Sequence, residues 1–177
     1  MRLIEADARQ LLPELGAGCV DLVVTDPPYR FDRGGTYFRR WFPELPDDAW
    51  PAIFLELYRV LASPAHAYIF CDARVKPLFD QAAHAAGFQV RIPLIWDKLS
   101  IGLGGTWRAQ YETIAWYAKG PPLASGRSSR QANVLRAPRV RGYPTEKPVA
   151  VLRQLIMQTT APGAIVLDPF CGSGSVG

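Results

Sequence analysis

A strongly apolar run from Cys19 to Thr25 stops at Asp26-Pro27-Pro28-Tyr29. Two successive prolines lack backbone donors, so the chain cannot continue a central ladder past Thr25. A strand must end there, with a carboxylate, two ring-locked residues and a phenol gathered at its tip. Whatever sheet this chain builds has to place that tip where the polar groups are tolerated.

The flanking segments alternate around this strand. Asp7 to Leu15 reads as a short helix or turn carrying Leu11, Leu12 and Leu15. Arg30 to Pro46 has Gly34-Gly35, several aromatics and no clear period, and reads as a long loop. Asp47 or Asp48 can cap a helix running to about Leu61, with Ile53, Leu57, Val60 and Leu61 on one face. Ala65 to Cys71 is the next strand. Asp72 can cap a helix that ends near Gly87. Phe88 to Trp96 is a strand interrupted by Pro93, and a Gly-rich loop from Ser100 to Thr106 leads to a strand from Glu112 to Lys119. Pro121 to Gly142 is turn-rich and basic. Thr145 can cap a helix from about Glu146 to Thr160, and Ala164 to Leu167 is a final strand. Such alternation predicts an α/β domain with a largely parallel sheet. The 177 residues suit one core, and five Trp, seven Tyr and eight Phe can fill it. That composition excludes a disordered tail and argues against a small disulfide scaffold.

Net charge is +4, which alone does not establish a nucleic-acid partner. Its distribution is uneven. Lys119, Arg127, Arg130, Arg136, Arg139, Arg141 and Lys147 stand against Glu146 alone, so that stretch carries +6 and the remainder −2. It reads either as a solubilising loop or as a phosphate-contacting surface. The three cysteines, Cys19, Cys71 and Cys171, are widely spaced and odd in number, which argues against a disulfide framework or a zinc site. No signal peptide precedes the first strand and no apolar run approaches membrane-spanning length. A reducing cytoplasm is the simplest compartment, with no membrane partner and no metal requirement.

Gly172-Ser173-Gly174-Ser175-Val176-Gly177 follows the last strand and matches GxGxxG. Glycines there permit a tight turn and close approach of a cofactor, although a simple glycine turn would look the same. A dinucleotide site would need a following helix and an acidic residue about 20 positions on. The alternative is a nucleoside cofactor such as S-adenosylmethionine, with Asp168 placed to meet its amine or an ordered water and Phe170 offering a ring. At the other motif, Asp26-Pro27-Pro28-Tyr29 presents acceptors: a carboxylate and two proline carbonyls expected to be free. An exocyclic amino group on a nucleobase is a matching donor, and Tyr29 could stack on the base. An ordinary strand-end turn is the plainer alternative.

These segments together resemble the S-adenosylmethionine-dependent DNA amino-methyltransferases. Asp26-Pro27-Pro28-Tyr29 resembles their catalytic motif, and Phe170-Cys171-Gly172-Ser173-Gly174 their cofactor motif. Catalytic motif first and cofactor motif last matches the circularly arranged group called beta. Glu5-Ala6-Asp7-Ala8, Trp96-Asp97-Lys98 with Tyr111-Glu112 and Trp116-Tyr117, and Tyr143-Pro144-Thr145-Glu146-Lys147-Pro148 resemble further family segments. Tyr111 and Tyr143 stand where many members carry histidine.

The resemblance implies a Rossmann-like class I methyltransferase sheet and direct methyl transfer to an exocyclic amine of a base swung out of double-stranded DNA. Asp26, Pro27, Pro28 and Tyr29 would be catalytic. Asp7 and Ala8 would meet the cofactor's adenine side, Thr145 and Lys147 its carboxylate, and Asp168, Phe170, Gly172 and Gly174 its other side. Arg127, Arg130, Arg136 and Arg139 would contact DNA from a recognition region at about 100–142. Lys98 is placed with them, a structural role being the alternative for it and for Trp107. A short target, or a homodimer sharing DNA contacts, suits so small a region. Cys171 is expected to be a small packed residue rather than a nucleophile. The leading Asp favours adenine N6 over cytosine N4, where Ser is common. Family members continue past the glycine loop into a helix and two further strands, one carrying a ribose-binding carboxylate. The implied domain over 1–177 is therefore incomplete, and a DNA-binding fragment without effective cofactor binding is the competing reading. A nicotinamide-dependent oxidoreductase fits only the glycine pattern.

Overall fold

A computed structural model describes residues 1–30, 44–102, 105–121, 131–140, 146–172 and 174–177. Most of the expected Arg30–Pro46 loop, together with Arg127, Arg130, Tyr143 and Thr145, lies outside the described residues. Helix α1 (Ala8–Leu11) runs into a 3-10 turn at Leu12–Glu14 and is followed by strand β1 (Val20–Thr25). A 3-10 turn at Asp47–Ala49 leads into α2 (Trp50–Val60), and β2 (Leu61–Cys71) follows directly. Then come α3 (Lys76–Ala86), β3 (Gln89–Val90), β4 (Leu94–Asp97), β5 (Tyr111–Lys119) and β6 (Val134–Arg136). Helix α4 (Val149–Thr159) and β7 (Val166–Leu167) close the order.

The strands form one sheet in the order β6-β4-β5-β2-β1-β7, with β3 also paired to β5. The expectation of a largely parallel sheet is corrected to a mixed one. β1 runs parallel to β2 and β7, and β4 parallel to β6, but β5 is antiparallel to β2, β3 and β4. The reason is local. No described helix crosses from β4 to β5, so β5 returns beside β4 in the opposite sense.

Strand alternation assigns the two faces. Val23, Ala67, Ile69, Cys71, Ala115 and Tyr117 pack beneath α2 and α3, against Phe54, Leu57 and Phe79. Leu22, Val24, Tyr68, Phe70, Trp96 and Ile114 face the other way, against Val151, Leu152 and Leu155 of α4. Helices thus cover both faces of the sheet.

Several boundaries depart from the sequence reading. Neither Asp47 nor Asp48 caps α2, whose first turn contains Pro51 and has no side-chain cap. Asp72 sits four residues before α3 and accepts instead from the Arg74 amide at 2.9 Å. Helix α4 starts at Val149, not Glu146, because Pro148 at φ −61° and ψ 128° holds an extended conformation there. The end of α3 is as expected: Gly87, at φ 104°, caps it in the left-handed region. Pro93 separates β3 from β4.

Candidate active site

The strand order reverses direction at β1, since β2 lies on one side and the later β7 on the other. Open α/β sheets bind ligands at such a switch point, outside the carboxyl ends of the strands. Here those ends carry Asp26 after β1 and Asp168 after β7. Registers bring other groups to the same rim: Thr25 pairs with Ile69, Cys71 with Thr113, and Asp97 with both Tyr111 and Arg136.

The backbone of Asp26-Pro27-Pro28-Tyr29 makes a tight turn. The Tyr29 amide donates to the Pro27 carbonyl at 3.0 Å. An i to i+2 bond of this kind suits Pro28, whose ring fixes φ near the value the turn needs. The Pro28 carbonyl accepts from the Leu45 amide at 2.8 Å. The expectation of two free carbonyls is therefore corrected. Each already accepts one backbone bond, and each keeps its second lone pair. Tyr29 meets the Phe79 ring edge-on, with centroids 6.0 Å apart.

Asp26 is paired with Lys147, whose ammonium donates to Asp26 Oδ2. That ammonium also lies 3.2 Å from Glu112 Oε1, and Lys98 Nζ lies 3.0 Å from Glu112 Oε2. Lys147 is 7% exposed, so it can stay charged only because two carboxylates surround it. Burial pushes Asp26 up to about 6, against the pull of Lys147 and with the help of Glu112. For Lys147 the two carboxylates outweigh burial and raise its value above the ordinary lysine range. Sequence reasoning missed the role of Glu112. Its signal was there to read: a lone carboxylate at the head of a strand whose Ile114, Ala115, Tyr117 and Ala118 are buried needs a cation.

Asp168 ties β1 to the glycine turn. Its Oδ1 accepts from the Thr25 hydroxyl at 2.5 Å and from the Phe170 amide at 3.0 Å. Burial raises its carboxyl above the usual range, opposed by the Thr25 bond. Gly172 and Gly174 take φ 48° and 77°, a region where side chains are strained. Nothing lies within 4 Å of where a Cβ on Gly174 would stand, so the turn's backbone is open to close approach. Phe170 packs inward near Trp50. Cys171 is exposed, a correction to the packed residue expected there. Met1 reaches Gly177, so the N-terminal segment runs to the same turn.

Other expected site residues are placed differently. Asp7 caps α1 and pairs with Arg9 at 2.6 Å, which holds its carboxyl down to about 2. Ala8 is the first residue of that helix, and no described contact draws either residue to Asp168. Lys98, expected beside DNA, points its ammonium inward to Glu112. Lys119, counted with the basic stretch, donates to the Tyr58 and Leu61 carbonyls at 2.6 Å, at the opposite end of the sheet. Arg136 and Arg139 do lie exposed on the rim side. Trp107 is 93% exposed, which removes the structural alternative for it.

A carboxylate at Asp168, an ammonium at Lys147 and an open glycine backbone complement a zwitterionic amino-acid end joined to a nucleoside. Fold and site together define a class I methyltransferase-type α/β protein. The family model described as DNA methylase, of the N6/N4 type, matches residues 20–125 and 121–177. YubD of Escherichia coli (strain K12) is 32% identical over 174 residues, spanning 98% of this chain and 77% of that protein. The DNA adenine methyltransferase YhdJ of the same strain is 27% identical over 214 residues, covering 99% of this chain and 72% of YhdJ. The M1.HpyAVI–SAM complex has a TM-score of 0.72 at 21% identity, over 97% of this chain and 82% of that one. The chain belongs to the beta-class S-adenosylmethionine-dependent DNA amino-methyltransferases, the family acting on adenine N6 or cytosine N4.

Proposed function

We propose that this chain methylates the exocyclic N6 of adenine in double-stranded DNA, with the target base turned out of the helix into the rim between β1 and β7. The observation that carries this reading is the half-buried Asp26 at the tip of β1, paired with Lys147, next to an acceptor-rich proline turn and near Asp168 across the switch point. Extrusion is what lets an enzyme reach an amino group hidden in the base stack. Adenine is favoured by the leading Asp of the tetrapeptide and by the likeness to YhdJ.

S-adenosylmethionine, when bound, supplies an electrophilic methyl group on a sulfonium. Asp168 and Lys147 are the groups suited to hold its amino-acid end, with Thr145 beside Lys147 in sequence. Gly172 and Gly174 admit its approach, and Phe170, Asp7 and Ala8 complete the set. Asp26 and the second lone pair of the Pro27 carbonyl accept from the two amino hydrogens of the base. Acceptors at both N–H bonds draw the nitrogen away from planarity and free its lone pair. Tyr29 holds the base ring, and Pro28 fixes the turn that places Pro27 and Tyr29. Arg136 and Arg139, with Arg127 and Arg130, meet phosphates or base edges. Holding both reactants in line removes much of the entropic barrier.

Methyl transfer from labelled cofactor to duplexes that contain adenine without cytosine, or cytosine without adenine, tests the base choice; the label should enter the adenine duplex. Transfer confined to cytosine overturns that choice, and no transfer to either, with cofactor bound, makes this chain a binding fragment. Asp26→Ala should abolish transfer even at cofactor concentrations that calorimetry shows to be saturating, since its carboxylate is assigned to the base.

A further inference from the structure

Two charges at the rim have no part in the reaction so far. Glu112 opens the buried stretch of β5, and Lys98 follows β4. The register of Asp97 opposite Tyr111 brings them side by side, and the Lys98 amide bonds the Gln110 carbonyl at 2.9 Å. The result is an alternating line of four groups, Lys98, Glu112, Lys147 and Asp26. Their side chains are 18%, 16%, 8% and 25% exposed. Its formal charges cancel. Each carboxylate oxygen of Glu112 meets a different ammonium, at 3.0 Å and 3.2 Å.

We propose that Glu112 and Lys98 are positioning residues for Asp26: Lys98 fixes one oxygen of Glu112, the other oxygen holds Lys147 against Asp26 Oδ2, and Oδ1 is left to accept from the target amino group. Lys98 then belongs to the reaction centre rather than to DNA. The line also sets the charge of Asp26, and the sign can be worked out. The groups facing Asp26 are Lys147 ahead of α4, Glu112 on β5, Asp168 after β7 and Tyr29 beyond β1. Glu112 also faces Lys98, Tyr29 and the buried Cys71. Tyr29 and Cys71 stay neutral at working pH, because burial raises both, the thiol to about 12. Removing the negative charge of Glu112 leaves excess positive charge around Asp26, so its proton is lost at lower pH. Removing the positive charge of Lys98 leaves Glu112 in excess, so the Asp26 proton is lost at higher pH.

The purpose of this line rests on the methyl-transfer reading, but its test does not need cofactor or DNA. Carbon-13 carboxyl NMR of the 177-residue chain follows Asp26 through a pH titration, with Asp26→Asn assigning the signal. Glu112→Gln should move the midpoint down and Lys98→Met should move it up, each by roughly one pH unit. Lys98→Arg should restore it. Midpoints that stay put, or that move the same way in both variants, overturn the proposal. If Glu112→Gln does not fold, the upward shift in Lys98→Met and its reversal by Lys98→Arg decide alone. DNA binding gives a second check: Lys98→Met should leave the salt dependence unchanged. A slope shallower by about 0.9 with an unmoved Asp26 midpoint would return Lys98 to phosphate contact and overturn the assignment. Absent methyl transfer in the unaltered chain would refute the enzymatic reading instead, leaving the midpoints to judge the line.

Discussion

Replacing Thr25 by Val tests the joint between β1 and the glycine turn. Thr25 is 1% exposed, and its hydroxyl reaches Asp168 Oδ1 at 2.5 Å. Valine keeps the shape and removes the donor. A hydrogen bond to a charged group contributes about 1.5–3 kcal/mol, and one to a neutral group about 1 kcal/mol. The loss should therefore depend on the ionisation of Asp168. Burial already raises its folded value, and the Thr25 bond opposes that rise. Without the bond the folded value climbs further. An acid whose folded value is raised binds its proton more tightly in the folded state. Stability then falls as pH rises from the ordinary value through the folded one. The variant extends that fall to higher pH. Urea unfolding, followed by the fluorescence of the five tryptophans, should give a destabilisation of about 2 kcal/mol near pH 8, where Asp168 is charged, and about 1 kcal/mol or less near pH 3, below the ordinary carboxylate value. Equal losses at both pH values, or a larger loss at the lower one, would refute the role given to the carboxylate.

Phe54 is 1% exposed and its ring meets those of Phe79, Phe88 and Tyr117, so Phe54→Ala should cost about 3–5 kcal/mol in urea unfolding. Gly87 and Gly174 both hold positive φ, but a Cβ on Gly87 would stand 3.1 Å from the Tyr58 ring while one on Gly174 meets nothing. Gly174→Ala should thus cost roughly 1–2 kcal/mol of backbone strain and Gly87→Ala more, by the same assay. Arg136 has a side chain 73% exposed, with its guanidinium 3.6 Å from Asp97. Arg136→Ala should make the log-log salt slope of DNA binding shallower by about 0.9 if it contacts one phosphate. Trp107→Ala should leave thermal stability unchanged within about 0.5 kcal/mol, because the ring is 93% exposed.

What could be read in the sequence was whatever one residue's own backbone decides. Pro27 and Pro28 end β1, Pro93 splits β3 from β4, Gly87 closes α3 and the glycines after Asp168 turn the chain. The fixed φ of Pro28 also suits the bond that occupies the Pro27 carbonyl, a bond that the reading of two free carbonyls missed. Direction and pairing were not legible, because they depend on which distant strand supplies the partner. The three lysines show the limit. Lys98, Lys119 and Lys147 are chemically alike in the sequence, which places Lys98 with the DNA-contacting residues, Lys119 in the basic stretch and Lys147 at the cofactor. Register sets Lys119 apart from the other two. Ala65 opposite Lys119 and Cys71 opposite Thr113 put the two ends of β5 at opposite ends of the sheet. Lys119 therefore satisfies carbonyls near the end of α2, while Lys98, beside the other end of β5, meets Glu112. A buried ammonium must find acceptors nearby. Once the strands are paired, the acceptors each lysine can reach settle its role, and net charge along the chain does not.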